Sequence, residues 1–191
     1  MENIKVIPNQ KVIKYLLTIF LGSLLLTISA KIKIPFYPVP MTIQTFVVLF
    51  LALAFGYKVG LATVALYLLE GIFGLPVFSN SPEKGVGLIY FTGPTMGYLI
   101  GFLFAVYSAG IHKDLINYTN YRYINALTVF SSLIVSVSFI YILGLLWLGY
   151  LIGWDKPIFE LGVTPFLLAE LFKIMLLTFL AKKILVFKGF I

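Results

Sequence analysis

The sequence predicts an all-α integral membrane protein, a six-transmembrane-helix bundle with a lid-like outer loop between helices 3 and 4. Three observations predict it. The 191 residues are 61% hydrophobic and 11% charged, with a mean hydropathy of +1.04, whereas soluble domains are about 25% charged. Apolar runs suited to membrane helices recur along the chain, and basic residues are spread unevenly between the loops. At this length we expect one membrane domain, residues 1–191.

Six apolar stretches are the candidate spans: residues 12–30, 43–56, 59–73, 94–111, 124–152 and 163–181. The first is longer than the core of a signal peptide and is interpreted as a retained span. The second and third are short, and joining them would place Lys58 near the middle of one 31-residue helix, which is costly in lipid. We therefore predict a tight helical hairpin there. The fifth stretch is long enough to be tilted or to extend past the bilayer.

Loop charges predict the orientation. With the amino terminus inside, nine basic residues fall on inner segments and four on outer ones, as the positive-inside rule requires. The chain is thus expected in the cell membrane as a multi-pass protein in contact with lipid, with both termini cytoplasmic. The net charge of +7 is attributed to these loops and not to nucleic-acid binding. The inner residues are Lys5, Lys11, Lys14, Lys58, Lys113, Arg122, Lys182, Lys183 and Lys188, and the outer ones Lys31, Lys33, Lys84 and Lys156.

Two outer loops have unusual compositions. Residues 33–40, "KIPFYPVP", contain three prolines, which predict a stiff, non-helical segment before the second span. Residues 74–94 mix glycine, proline and serine with aromatic side chains. Long loops that carry their own apolar side chains often close over binding sites. A lid is favoured over a solvated connector, because a connector has no need of so many aromatics.

Residues for catalysis are scarce. The chain has no cysteine and one histidine, His112, so no second histidine is present to share a metal, and no catalytic or metal site is predicted. No stretch resembles the Gly-x-x-x-x-Gly-Lys-Ser/Thr loop that binds ATP. The composition favours a protein that binds and moves a molecule without changing it. It does not favour an enzyme, and no cofactor is expected.

The sixth stretch carries Glu170 and Lys173 within an apolar run. Residues three apart share a helix face, and Glu170 lies roughly 10 Å along the helix from residue 163 at about 1.5 Å per residue. Ionisable residues at membrane depth usually face a cavity and mark a functional site. The alternative is a structural ion pair, which is costly because desolvation offsets much of the attraction. A polar ligand that uses both groups explains the pair better.

Three further polar residues are weaker candidates. Thr42 and Gln44 stand at the start of the second span, where they either cap the helix or hydrogen-bond a ligand. Glu70 lies near the outer end of the third span. For Glu70, reaching water at the interface is the simpler interpretation.

Small residues mark two helix faces. Gly97 and Gly101 allow a neighbouring helix to approach the fourth span closely. Ser23, Thr27 and Ala30 form a stripe on the first span. Such a stripe docks either another span of this chain or a partner protein, and spacing alone does not separate the two.

Four segments together resemble the BioY family, the biotin-binding S components of energy-coupling-factor transporters. They are "IPFYPVPMTIQTF", "YLLEGIFGLPVF", "GPTMGYLIGF" and "GVTPFLLAELFK", and the similarity extends over residues 15–183. The resemblance implies a six-helix protein that captures biotin from outside. It also implies partners: a transmembrane coupling subunit and two ATPase subunits, which would supply the missing nucleotide site.

The resemblance also implies roles for residues. Lys173 matches the family's lysine on the last span, and Glu170 stands where aspartate is typical. Both would bind biotin, and Thr42 and Gln44 are added as candidates from their position at the start of the second span. The candidates added from the lid and the fourth span are Phe78, Asn80 and Tyr98, and those for docking the coupling subunit are Ser23, Thr27 and Ala30.

The chemistry of biotin suits this assignment. Its ureido ring offers N–H donors and a carbonyl acceptor, beside an apolar bicyclic body and a carboxylate tail. A buried carboxylate can accept from the N–H groups, and charge-assisted hydrogen bonds are about twice as strong as neutral ones. Two alternatives remain open: an S component for another small vitamin, and a non-transporting membrane assembly protein whose ion pair locks the bundle.

Overall fold

The structure, a computed structural model, describes residues 10–118, 126–185 and 187. Lys5, Arg122 and Lys188, and with them both chain ends, lie outside the described residues. Six α-helices are present in the described part of the chain. They are α1 (Gln10–Lys31), α2 (Gln44–Ile72), α3 (Met96–Tyr118), α4 (Ala126–Ile152), the short α5 (Ile158–Gly162) and α6 (Leu167–Ile184), and two short strands, β1 (Lys33–Ile34) and β2 (Met41–Thr42), pair antiparallel between α1 and α2. The six predicted spans correspond to five of these helices, because two spans lie in α2 and the short α5 was not predicted.

The predicted helical hairpin lies within α2. Gly56 has φ 81° and ψ 177°, which breaks the helix into two arms, residues 44–55 and 57–72. The distance of 2.7 Å between Gln44 Nε2 and the Tyr67 hydroxyl shows that the chain reverses there. A straight helix would separate these residues by about 35 Å. The arms are roughly 18 and 24 Å long at about 1.5 Å per residue, shorter than the hydrocarbon core of about 30 Å.

Four helical segments of the described chain are long and apolar enough to cross a membrane: Lys11–Lys31, Gln44–Ile72, Ala126–Ile152 and Ile158–Ile184. Met96–His112 is a shorter apolar helix. Since the second of these segments is folded into the hairpin, each of its arms is a separate helix of the bundle.

The glycines of α3 serve packing, as predicted. A Cβ at Gly97 would come within 2.4 Å of the Leu143 carbonyl oxygen, and one at Gly101 within 2.6 Å of the Ile140 Cα. Both glycines therefore allow the backbones of α3 and α4 to approach closely, as small residues do in membrane helices.

The small-residue stripe of α1 faces the inside of the bundle, which corrects the docking prediction. Ser23 and Ala30 are 1% and 0% exposed, and Thr27 is half-buried. Large apolar residues such as Phe20 and Leu24 occupy the outer face of α1. Spacing had identified the stripe but not its direction, and the alternative of docking another span of this chain is the one observed.

The 74–94 loop is tied to the start of the chain by two lysines. Lys31 Nζ donates hydrogen bonds to the carbonyl oxygens of Phe78 and Ser81, both at 2.8 Å. Lys33 Nζ donates to the Ser79 carbonyl oxygen at 2.7 Å and to Asn80 Oδ1 at 3.0 Å. Residues 78–81 are thus held over the same end of the bundle as the β1–β2 pair.

Candidate functional site

A cavity opens at this end of the bundle, between the start of α2, the 74–94 loop, α3, α4 and the start of α6. It is narrow, with an internal volume of about 60 Å³, which is below the range of about 300–1,000 Å³ for small-molecule sites, so its walls must move apart to admit a ligand of that size. Its walls are mainly apolar and aromatic. The lining residues are Val39, Pro40, Met41, Thr42, Gln44, Thr45, Ser79, Tyr90, Thr95, Tyr98, Leu99, Phe102, Ile140, Tyr141, Phe166 and Glu170.

Glu170 is the charged residue of the cavity wall. It belongs to the first turn of α6 and is 6% exposed. Its Oε1 accepts hydrogen bonds from Lys173 Nζ at 2.7 Å and from Thr45 Oγ1 at 2.8 Å. Its Oε2 is buried and has no hydrogen-bond partner among the described residues. An unpartnered buried carboxylate oxygen is costly, and two donors are suited to satisfy it: the nearby Tyr141 hydroxyl and a ligand that enters the cavity.

Lys173 lies behind Glu170 and does not line the cavity. The two side chains share one helix face, as their spacing predicts, and they form the ion pair that the sequence left as the alternative to a ligand bound by both, with an N–O distance of 2.7 Å. The Lys173 ammonium also donates to the Thr42 carbonyl oxygen at 2.7 Å and lies 2.9 Å from Thr45 Oγ1. These three oxygens accept all three N–H groups of the ammonium. Lys173 therefore acts on the cavity indirectly, by holding Glu170, Thr42 and Thr45 in place.

Thr42 and Gln44 both line the cavity. The Gln44 backbone N–H donates to Thr42 Oγ1 at 3.3 Å, and Thr42 Oγ1 donates to Gln44 Oε1 at 3.2 Å. Gln44 Nε2 donates to the Tyr67 hydroxyl, which in turn donates to the Val77 carbonyl oxygen at 3.2 Å. Thr42 therefore contacts the start of α2 and also lines the cavity.

Tyr98 also lines the cavity, as proposed from the sequence. Its hydroxyl donates to the Gly162 carbonyl oxygen at 3.0 Å, which ties α3 to α5. The Tyr141 ring meets the Tyr98 ring edge-on at 6.0 Å, and the Phe166 ring lies 6.4 Å from Tyr141. These three rings form an aromatic wall on the side of Glu170.

Phe78 and Asn80 lie outside the cavity lining. Phe78 is 1% exposed and stacks behind Tyr90 with ring centroids 4.6 Å apart. Asn80 is half-buried and is held by Lys33. Ser79 between them and Tyr90 are the loop residues that line the cavity, and their hydroxyls lie 3.2 Å apart.

Glu70 serves the packing of α1. Its Oε1 accepts a hydrogen bond from Ser23 Oγ at 2.9 Å, and the side chain is half-buried. This contact with a buried hydroxyl of α1 was not predicted from the sequence, while the partial exposure of Glu70 is compatible with the expected access to water. Glu70 is not part of the cavity lining.

Sequence reasoning missed five polar residues of the site: Thr45, Ser79, Tyr90, Thr95 and Tyr141. Thr45 was detectable, because it follows Gln44 in a helix start already rich in polar groups. Tyr141 is a phenol within an apolar run, and it lies close enough to Glu170 to interact with the carboxylate. No local pattern indicates that Ser79 and Tyr90 line the cavity, since their positions depend on how the 74–94 loop is held.

The arrangement suits binding. It combines one buried acceptor, hydroxyl and amide groups, and aromatic walls. Within the described ranges no group of three or more His, Asp or Glu residues is placed to hold a metal ion. The chemistry of this lining suits a small, largely apolar molecule that carries an N–H group.

Comparisons with known proteins agree with this description. The model of the BioY family matches residues 3–188. A probable biotin transporter BioY of Pyrococcus horikoshii is 32% identical over 160 residues, which cover 84% of this chain and 89% of the relative. The biotin transporter BioY of Thermotoga maritima has the same identity and coverage. The biotin transporter BioY2 of Lactococcus lactis is 31% identical over 169 residues, 86% of each chain.

A solved structure shares the fold. The crystal structure of the S-component for biotin from an ECF-type ABC transporter superposes with a TM-score of 0.72. The match covers 96% of this chain and 93% of that one, at 24% sequence identity. At this identity the likeness concerns the arrangement of helices.

Proposed function

This chain belongs to the BioY family, and we propose that it is the membrane subunit that binds biotin for uptake into the cell. It is a multi-pass membrane protein and a transporter component, not an enzyme. Biotin is its transported substrate and not a cofactor.

The free oxygen of Glu170 is the observation that carries the proposal. A carboxylate that is 6% exposed, with one oxygen bonded twice and the other free, has capacity for a donor that arrives from the cavity. The ureido ring of biotin brings N–H donors. A charge-assisted hydrogen bond to one of them would satisfy Oε2 and contribute about 1.5–3 kcal/mol.

Lys173 has a supporting part in this proposal. Its ammonium lies against Oε1 and two threonine oxygens, so it fixes the rotamer of Glu170. The sequence suggested a direct contact between Lys173 and biotin. The geometry favours an indirect effect through Glu170.

The aromatic wall would enclose the bicyclic body. Tyr98, Tyr141 and Phe166 surround the space beside Glu170, and apolar and aromatic walls with a few placed polar groups are typical of small-molecule sites. We assign residues 74–94 the role of a lid. Ser79 and Tyr90 would close on the ligand from above, while Phe78 supports Tyr90 from behind.

The remaining proposals concern transport. We place both termini in the cytoplasm, so that the cavity end faces outside, from the bias of basic residues toward the opposite loops. Transport would be driven by a transmembrane coupling subunit and two ATPase subunits, because the sequence has no nucleotide-binding loop of its own. The outer face of α1, with Phe20 and Leu24 exposed, is available to the coupling subunit or to lipid.

Isothermal titration of the detergent-purified protein with biotin tests this function. We expect one site per chain with a Kd below about 1 µM, equivalent to about 8 kcal/mol. Thiamine and riboflavin, tested in parallel, should give no binding. Saturable binding of one of these in place of biotin would instead identify an S component for another vitamin. Binding of none would favour the assembly-protein alternative.

A further inference from the structure

Tyr67 is fully buried behind the cavity wall, at 0% exposed, on the second arm of α2. It does not line the cavity. Its hydroxyl joins two elements: it accepts from Gln44 Nε2 at 2.7 Å and donates to the Val77 carbonyl oxygen at 3.2 Å. Gln44 and Val77 are themselves 4% and 7% exposed, so water does not compete for these groups.

The direction of these hydrogen bonds follows from the chemistry of each group. The Val77 carbonyl can only accept, so the one hydroxyl proton of Tyr67 is used there. The group that faces the Tyr67 oxygen must then be a donor. Of the two ends of the Gln44 amide, this selects the NH₂, and the amide oxygen is turned the other way.

We propose that Tyr67 is a positioning residue that sets the orientation of the Gln44 amide and thereby the ligand preference of the cavity. The amide oxygen lies on the side of Thr42, whose hydroxyl donates to it at 3.2 Å, and one lone pair is left for a ligand. Together with Glu170 Oε2, Gln44 Oε1 gives the cavity two acceptors. This pair selects molecules with two N–H donors, such as a cyclic urea.

The same hydrogen bond couples the amide to the loop. Val77 belongs to the 74–94 segment, and its carbonyl holds the Tyr67 proton only while the segment lies in its observed place. If the loop moves away, the hydroxyl is free to donate to Gln44 Oε1, which allows the amide to turn over. The polarity of the cavity wall thus depends on the position of the loop.

This inference rests on the proposed function, and a double-mutant cycle distinguishes the two. Biotin affinity is measured by titration for the wild type, Tyr67→Phe, Gln44→Met and the double variant. Phenylalanine keeps the ring, which packs edge-on against Phe78 at 5.3 Å, and methionine keeps the length of glutamine. If the wild type does not bind biotin, the proposed function fails before the cycle begins.

We expect each single variant to weaken biotin binding about tenfold, equivalent to about 1.4 kcal/mol. The double variant should be no weaker than Gln44→Met alone, because Tyr67 acts through Gln44. The matched control is Tyr98→Phe, which also loses a buried hydroxyl but does not contact Gln44. The loss of binding free energy in Tyr98→Phe should add to the loss in Gln44→Met. Unchanged affinity in Tyr67→Phe, or additive losses with Gln44→Met, would overturn the proposal.

A ligand comparison keeps the proposal testable if Tyr67→Phe does not fold. Biotin and its two singly N-methylated ureido derivatives are titrated into wild type and Gln44→Met. We expect Gln44→Met to weaken biotin but not the derivative that lacks the N–H facing Gln44. If Gln44→Met weakens biotin and both derivatives equally, Gln44 does not read an N–H group and the inference is wrong.

Discussion

Replacement of Glu170 by glutamine separates a ligand-binding carboxylate from a structural one. In the proposed complex, Glu170 Oε2 makes one charge-assisted hydrogen bond to a ureido N–H, which contributes about 1.5–3 kcal/mol. Glutamine keeps the shape but removes the charge. We expect biotin binding to weaken about 10- to 150-fold, the equivalent of that energy.

The same substitution also affects folding, and this effect must be measured separately. The Lys173 ammonium, whose side chain is 11% exposed, would lose its counter-charge, and breaking a buried ion pair costs about 3–5 kcal/mol. The Tm of the ligand-free variant is therefore measured by thermal unfolding alongside the titration. Glu170→Asp keeps the charge and moves the carboxylate by about one bond length, roughly 1.5 Å. We expect its Kd for biotin to lie within about threefold of the wild-type value, whereas Glu170→Leu should not bind biotin.

Glu160 offers the matched control for this change. It is an exposed glutamate on α5, at the same end of the molecule. Glu160→Gln should leave both biotin affinity and Tm unchanged. Wild-type affinity in folded Glu170→Gln and Glu170→Leu would refute the reasoning, since it would show that the pair only locks the bundle.

Two further predictions use the same titration, and a third uses dissociation kinetics. Lys173→Ala should weaken biotin binding at least tenfold, about 1.4 kcal/mol, because Glu170 loses the group that holds it; wild-type affinity would remove the pair from the site. Leu99→Trp fills the cavity and should abolish binding, whereas Phe104→Trp on the exposed side of α3 should not; binding by both would place the ligand elsewhere. Lys31→Met removes the hydrogen bonds to residues 78–81 and should speed biotin dissociation in stopped-flow measurements, with exposed Lys84→Met as control; equal rates would argue against a lid held by Lys31.

Features that depend on local sequence were predicted correctly. The hairpin at Gly56 followed from the cost of Lys58 in lipid, and the non-helical residues 33–40 followed from their prolines. The close packing at Gly97 and Gly101 followed from their lack of a side chain. The shared helix face of Glu170 and Lys173 followed from their spacing on α6. Each of these depends on neighbours in the chain, so a single sequence contains the necessary information.

Features that depend on contacts between residues distant in the sequence were not predicted correctly. The spacing of Ser23, Thr27 and Ala30 defines one face of α1, but whether that face points inward depends on where α2 packs. Lys173 shares a face with Glu170, yet its acceptors come from residues 42 and 45, far away in sequence. The loop was recognised, but the hydrogen bonds from Lys31 and Lys33 determine which of its side chains reach the cavity.

A crystal structure of the protein with biotin tests the central claim most directly. The distance to measure joins Glu170 Oε2 and the nearest ureido nitrogen. We expect a hydrogen bond of about 2.7–3.2 Å, with the bicyclic body against Tyr98 and Tyr141. Biotin bound elsewhere, or bound in this cavity with Oε2 still unpartnered, would contradict it.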